Sequence, residues 1–231
     1  MKMALITLAF LLALPGLAVA QPSRLDVSRV QRVEITGDAA ALVLTAQAGG
    51  PMEARLGARR SGWFSRWYSS WFYNDCRTSS RMWVEGTVLH VDVVTPSFLE
   101  TSDCTVELTA QLPLGVSVDI AVQAVQARLD GRFGTLVIDT RAGDVEFSGA
   151  VEQVDVSGTA LRARLNTGEG APRAVSFAVG SLDAEIALGA GAKVGWQVDA
   201  KAALVDTALS NDPTATTRIA VSADYVRLSI R

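Results

Sequence analysis

Residues 118–168 read VDIAVQAVQARLDGRFGTLVIDTRAGDVEFSGAVEQVDVSGTALRARLNTG, and the stretch repeats itself. Val118 and Ile120 recur as Leu136 and Ile138, then as Val154 and Val156, each step being 18 residues. Ala127 and Leu129 recur at the same interval as Val145 and Phe147, then as Ala163 and Leu165. Gly131 and Gly149 mark the same turn in the first two units. Two short alternating strands per unit at a fixed period are the mark of stacked β-rungs. One rung cannot bury its own apolar face, whereas rungs stacked about 4.8 Å apart share a continuous interior. The inward set is Val, Ile, Leu and Phe on one strand and Ala alternating with Leu on the other, so that interior is narrow. The competing arrangement is a β-sandwich of antiparallel hairpins, which gives no reason for two equal successive periods.

Beyond 168 the repeat loosens. Val175, Phe177, Ala184 and Ile186 match the third unit at +21, the extra residues falling in the turn Gly168–Pro172, where added length costs little. Val194, Trp196, Ala203 and Val205 match again at +19, and Ile219/Val221 with Val226/Leu228/Ile230 form a last pair. Five or six rungs are therefore countable from 116 to the C-terminus.

Upstream, Val33 and Ile35, then Leu42 and Leu44, alternate with polar or small residues. Gly37-Asp38 between them reads as turn chemistry and Gly49-Gly50-Pro51 as the close of a hairpin-like unit. Met52 to Leu56 is a weaker strand. Met82–Val84 turns at Gly86-Thr87 into Val88–Val94, and Thr105–Leu112 alternates before Pro113-Leu114-Gly115.

Residues 57–81 break the pattern. Trp63, Phe64, Trp67, Tyr68, Trp71, Phe72 and Tyr73 are seven of the chain's fifteen aromatics. Trp63/Trp67/Trp71 and Phe64/Tyr68/Phe72 stand at i, i+4, i+8, which puts two aromatic rows on one face of a short helix, with Ser65, Arg66, Ser69 and Ser70 opposite. Arg55, Arg59, Arg60, Arg66, Arg77 and Arg81 are set against Asp75 alone within 55–81, a local excess of positive charge in a chain whose net charge is −3. The segment reads either as a cap packed on an open end of the stack or as an exposed helix whose Trp and Tyr enter a membrane interface while arginines meet lipid phosphates or lipopolysaccharide. Sugar rings or a protein partner could also stack on the same aromatics.

The first 20 residues read as a cleavable export signal: Lys2, an apolar run from Ala4 to Leu14, the break Pro15-Gly16, and the small-x-small site Ala18-Val19-Ala20 before Gln21. The apolar run is shorter than the roughly 20 residues a bilayer span needs. No cysteine follows the cleavage site, which argues against lipid attachment there. The expected mature chain, 21–231, is a single domain in the periplasm or cell envelope, without a transmembrane helix. In that oxidising compartment Cys76 and Cys104 are expected to pair; two free buried thiols are the alternative. Two sulfurs and the lone His90 do not make a zinc site.

Several of these features together resemble a known family. The early unit Val33-Glu34-Ile35-Thr36-Gly37-Asp38, the hairpin Gly86-Thr87-Val88-Leu89-His90-Val91, the run Val106–Pro113 and the cue Ala142-Gly143-Asp144-Val145-Glu146-Phe147-Ser148-Gly149 resemble the bacterial putative-adhesin family, whose domain is related to the adhesin-head GIN domain. The resemblance covers roughly 30–231 and implies a β-solenoid, an exported or envelope location and no established catalytic residues. The Arg/Trp-rich insertion departs from it.

The functional expectation is a non-catalytic, envelope-associated adhesin-like scaffold that docks through 59–77 on an anionic lipid surface, lipopolysaccharide or an envelope protein. No cofactor and no nucleic acid are expected. His90 has no sequence companion for catalysis and reads as structural. Asp130, Asp139, Asp144, Glu146 and Asp155 read as solvated outward or turn positions that discourage edge pairing. The nonapeptide of calcium-binding β-rolls is absent, as is a phosphate-cradling glycine loop. Two alternatives stand: a polysaccharide-active β-helix enzyme, by analogy of fold, and a purely structural protein with the aromatic helix as its cap.

Overall fold

The computed structural model describes residues 24–60, 78–95, 104–168 and 170–231. Among them there is no helix. Ten strands follow in chain order: β1 Arg24–Asp26, β2 Arg32–Ala46, β3 Glu53–Arg60, β4 Arg81–Glu85, β5 Val88–Val93, β6 Cys104–Leu112, β7 Val116–Thr167, β8 Ala174–Leu188, β9 Val194–Thr207 and β10 Thr217–Ile230. They form one open, mostly parallel all-β sheet, with antiparallel pairing confined to β1, β3 and β4.

β7 runs for 52 residues and lies against itself. Residues 18 apart are neighbours along it: the Ser117 hydroxyl accepts from the Thr135 amide, and the Ser157 hydroxyl donates to Asp139 at 3.1 Å. The next strand keeps the order. β8 pairs in parallel with β7 through Val154↔Val175, Val156↔Phe177, Ala163↔Ala184 and Leu165↔Ile186, the 21-residue step read from the sequence. All of these side chains are buried, as are Val118, Ile120, Leu129, Leu136, Ile138, Val145 and Phe147. Each column therefore stacks one interior side chain on the next. One column holds Leu129, Phe147, Leu165 and Ile186, and the column beside it holds the smaller Ala127, Val145, Ala163 and Ala184. Phe147 meets Phe133 edge-on at 6.0 Å. Removing such a ring from water contributes roughly 2–3 kcal/mol.

The first unit is not a hairpin. β2 passes straight through Gly37 as one strand whose two halves both pair in parallel, Val33 with Leu89 and Leu42 with Leu108. Its other edge pairs with β7, Val33 with Val118 and Leu44 with Leu129. Gly37 bends the chain at φ +121°, close under the Val93 carbonyl. A turn glycine between two alternating runs has the same appearance whether the second run folds back or goes on to the next side of a rung. β2 thus lies between β5/β6 and β7, although it precedes all three. β4 on β5 and β3 on β6 extend that end in antiparallel fashion, with Val27, Val30 and Met82 buried in the core.

The far end departs from chain order too. β10 lies between β8 and β9. Ile219 pairs with Val175 on one side and with Trp196 on the other. Trp196 thereby shares the column of Val175, where the sequence spacing put Val194. β9 is the outermost strand, and its Ala203 and Leu204 are exposed. The strands at 53–60 and 81–85 also shorten the expected 57–81 insertion at both ends. The anticipated aromatic helix, 63–73, and the export signal lie outside the described residues.

Candidate functional site

Past the bend, the outward positions of each rung fall into rows. One row reads Arg128, Glu146, Arg164, Glu185, and its neighbour reads Asp144, Arg162, Asp183, Arg227. Successive rungs are therefore acidic, basic, acidic, basic. In a parallel in-register stack, identical charges would otherwise stand about 4.8 Å apart. Arg128 Nη2 reaches Glu146 at 3.0 Å, and Arg164 Nη1 reaches the other oxygen of Glu146 at 2.9 Å and Asp144 at 3.8 Å. Arg162 meets Asp183 at 3.5 Å and Arg231 meets Glu185 at 3.5 Å. Exposed pairs like these contribute little to stability one by one; what they make is a patterned surface.

That surface is hollowed. A shallow groove of about 570 Å³ follows the bend, floored by Ala39, Ala124, Ala142 and Ala160 and bordered by Asp144 and Arg162. A hollow of about 660 Å³ shares Arg162 and Asp183 with it, and one of about 510 Å³ in turn shares Arg164 and Glu185 with that hollow. The groove exists because the residue after the bend is small in rung after rung. The 18-residue spacing of Arg128, Glu146 and Arg164 was the available sequence signal for this face. It is easily missed beside the louder aromatic cluster.

Of the residues singled out in the insertion, Arg59 is described. It lies exposed on β3 and pairs with Glu107 at 3.4 Å. Arg60 ends β3 opposite Cys104 in the register. Trp63, Phe64, Arg66, Trp67, Tyr68, Trp71, Phe72 and Cys76 lie outside the described residues, and with them the expected Cys76–Cys104 bridge. The local positive excess is smaller in space than along the chain. Arg55 pairs with Glu53 at 3.2 Å, Arg59 with Glu107, and Arg81 with Asp92 at 3.1 Å. These carboxylates sit outside the stretch or across a strand, so a count along the sequence does not see them.

His90 faces outward on β5, stacked on Trp83 with ring centroids 5.2 Å apart, its Nδ1 3.2 Å from Glu34. Two carboxyls are held below the usual range by turn hydrogen bonds: Asp26 by the Ser28 amide and hydroxyl, and Asp212 by the Thr214 hydroxyl and amide. Asp130 and Asp139 are exposed and Asp155 is half-buried. Among the described residues no three His, Cys, Asp or Glu side chains gather to hold a metal ion, and no helix is long and apolar enough to cross a membrane. The arrangement offers extended recognition by paired charges and shallow apolar relief.

No family model and no curated protein matches the chain. Several solved structures are similar to it, two of them as follows. A putative cell adhesion protein from Clostridium sporogenes aligns over 92% of this chain and 94% of its own, at 10% identity and a TM-score of 0.40. A putative adhesin from Bacteroides fragilis aligns over 90% and 94%, at 11% identity and a TM-score of 0.45. Both carry the adhesion description to which the sequence cues pointed.

Proposed function

We propose that the chain is an exported β-solenoid that works as a non-catalytic, adhesin-like interaction module of the cell envelope. It docks through the aromatic segment 63–73 on an anionic lipid or lipopolysaccharide surface. The observation that carries this reading is where that segment joins the stack. It leaves from Arg60 and returns at Thr78, at the end of the sheet that carries β3 and β4. Val27, Val30 and Met82 are buried in the core on that side of the sheet. Core already buried on that side supports reading the aromatics as available to an outside surface and not as a cap. Because Arg55, Arg59 and Arg81 are balanced by carboxylates, the attraction rests on Trp and Tyr partition at the interface, supported by Arg60, Arg66 and Arg77.

Co-sedimentation with vesicles of mixed phosphatidylglycerol and phosphatidylcholine tests it. Wild type should pellet with them, and the triple change Trp63→Ala, Trp67→Ala, Trp71→Ala should weaken binding at least about tenfold with an unchanged melting temperature. Equal failure of both proteins to pellet, at low and at high salt, ends the membrane reading. A variant that unfolds returns the segment to a structural role.

A further inference from the structure

We propose that two copies of this chain join through their β9 edges, as a two-fold dimer that continues the stack. Among the described residues, β9 is the last strand at its end of the sheet and has one strand neighbour, β10. The opposite end of the sheet carries the short antiparallel strands β1, β3 and β4, and its inward residues Val27, Val30 and Met82 are buried. At β9, by contrast, the interior-side residues Trp196, Val198, Ala200 and Val205 are only half-buried and Ala203 is exposed. Leu204 beside them is 64% exposed. An end of this kind calls for a cover.

The direction of the free backbone groups follows from the structure. Trp196 N–H donates to the Asn211 side chain and Trp196 C=O accepts from it, at 2.9 and 3.0 Å, so these groups point away from β10. For L-residues in strands wound in one sense, every residue with its side chain inward turns its N–H and C=O to the same edge. The check is Ala208, an outward residue, whose N–H points the other way, to Ile230 O. Val198, Ala200, Ala203 and Val205 therefore all present donors and acceptors on the outer edge. Asn211 and Asp212 already cover Trp196 and Val194. The usable edge is the stretch between Gln197 and Asp206.

That stretch is complementary to itself. The bend between Ala200 and Ala203 shifts the inward positions from even to odd numbers. Antiparallel pairing of Val198 with the second copy's Val205, and of Ala200 with its Ala203, therefore matches inward with inward and edge-facing with edge-facing. The two-fold axis passes through the bend, the four pairs supply roughly eight backbone hydrogen bonds, and the two interiors close on each other. On the outer face the same register sets Asp199 against Leu204 and Gln197 against Asp206, with no like charges opposed, while Lys201 stays on Asp224 at 2.7 Å. An isologous contact closes at two copies.

The purified chain is run by sedimentation velocity from about 1 to about 500 µM, with hydrogen exchange read in parallel. The proposal expects a monomer–dimer equilibrium and amides of Val198, Ala200, Ala203 and Val205 that slow as concentration rises. Val198→Pro removes a donor that faces away from β10 and leaves the β9–β10 ladder in place, so it should weaken the dimer at least about tenfold while keeping the melting temperature. If that variant misfolds, Ala203→Lys, on a side chain exposed in the single chain, is read in its place with the same expectation. A wild type that stays monomeric overturns the proposal. So does a dimer unmoved by these changes, or growth past two copies, which would mean head-to-tail contact.

Discussion

At Gly149 a single hydrogen atom decides whether two rungs can stack. Its backbone stands at φ +134°, and a Cβ there would lie 2.0 Å from the carbonyl oxygen of Gly131. Gly131 bears the same relation to the Ala46 carbonyl one rung earlier. The 18-residue recurrence of glycine is thus a steric requirement of the close approach as well as a turn signal. Gly149→Ala should destabilise the protein by about 2–4 kcal/mol, since the clash is with backbone and the conformation disfavours any Cβ. Gly86, at φ +60° with open space around it, isolates the conformational part of that cost; Gly86→Ala should cost about 1 kcal/mol. Urea unfolding midpoints at unchanged slope separate the two. Equal shifts would mean that the carbonyl contact is relieved by movement of the rung.

Among the strands, β10 matters beyond its own length because it carries β9. Chain order is β8, β9, β10, yet the order in the sheet is β8, β10, β9. β9 docks only once the C-terminal residues have filled the level beneath it. A chain ending after residue 216 should lose amide protection throughout 194–207 and keep it over 116–167, where β7 pairs with itself, β2 and β8. Hydrogen exchange with peptide-level readout checks this. Protection of 194–207 retained in the shortened chain would show that β9 can pair directly on β8, the arrangement that the sequence spacing favoured. Central strands, covered on both edges, and the terminal strand should differ in the same experiment even in the intact chain.

For the molecule as a whole, the two ends of the sheet are built differently among the described residues: one finishes in short antiparallel strands, with residues 61–77 joining β3 to β4, and the other finishes in the parallel strand β9. The insertion's tie to the sheet is expected to include a Cys76–Cys104 disulfide, with Cys104 opening β6 opposite Arg60. Peptide mapping of the purified protein without reductant should recover the two cysteines in one linked pair. Reduction should lower stability by about 3 kcal/mol in the chain-entropy view of a loop this size. Recovery of two separate thiol peptides would remove the tie.

Much of the core was legible beforehand. The columns through Val154, Val156, Ala163 and Leu165 and their 21-residue partners in β8 follow from alternation and period alone, because a repeating apolar pattern that fills a shared interior has one register. The single-strand nature of β2 and the exchanged order of β9 and β10 were not legible. Periodicity records which side chains face inward and says nothing about which level each rung occupies. The alternating charged face lay between these cases: Arg128, Glu146 and Arg164 carry the 18-residue period in plain view, but their meaning needs the rungs stacked. The neutralisation of Arg55, Arg59 and Arg81 by Glu53, Glu107 and Asp92 needed the strand pairing itself. By itself the sequence determined an all-β chain with 18- and 21-residue steps and a named set of buried side chains, since hydrophobic burial acts on local pattern. Only the tertiary structure decided where stacking departs from chain order, which charges meet and which strand ends the described sheet, since an exchange of levels between strands is set by space and leaves no trace in spacing.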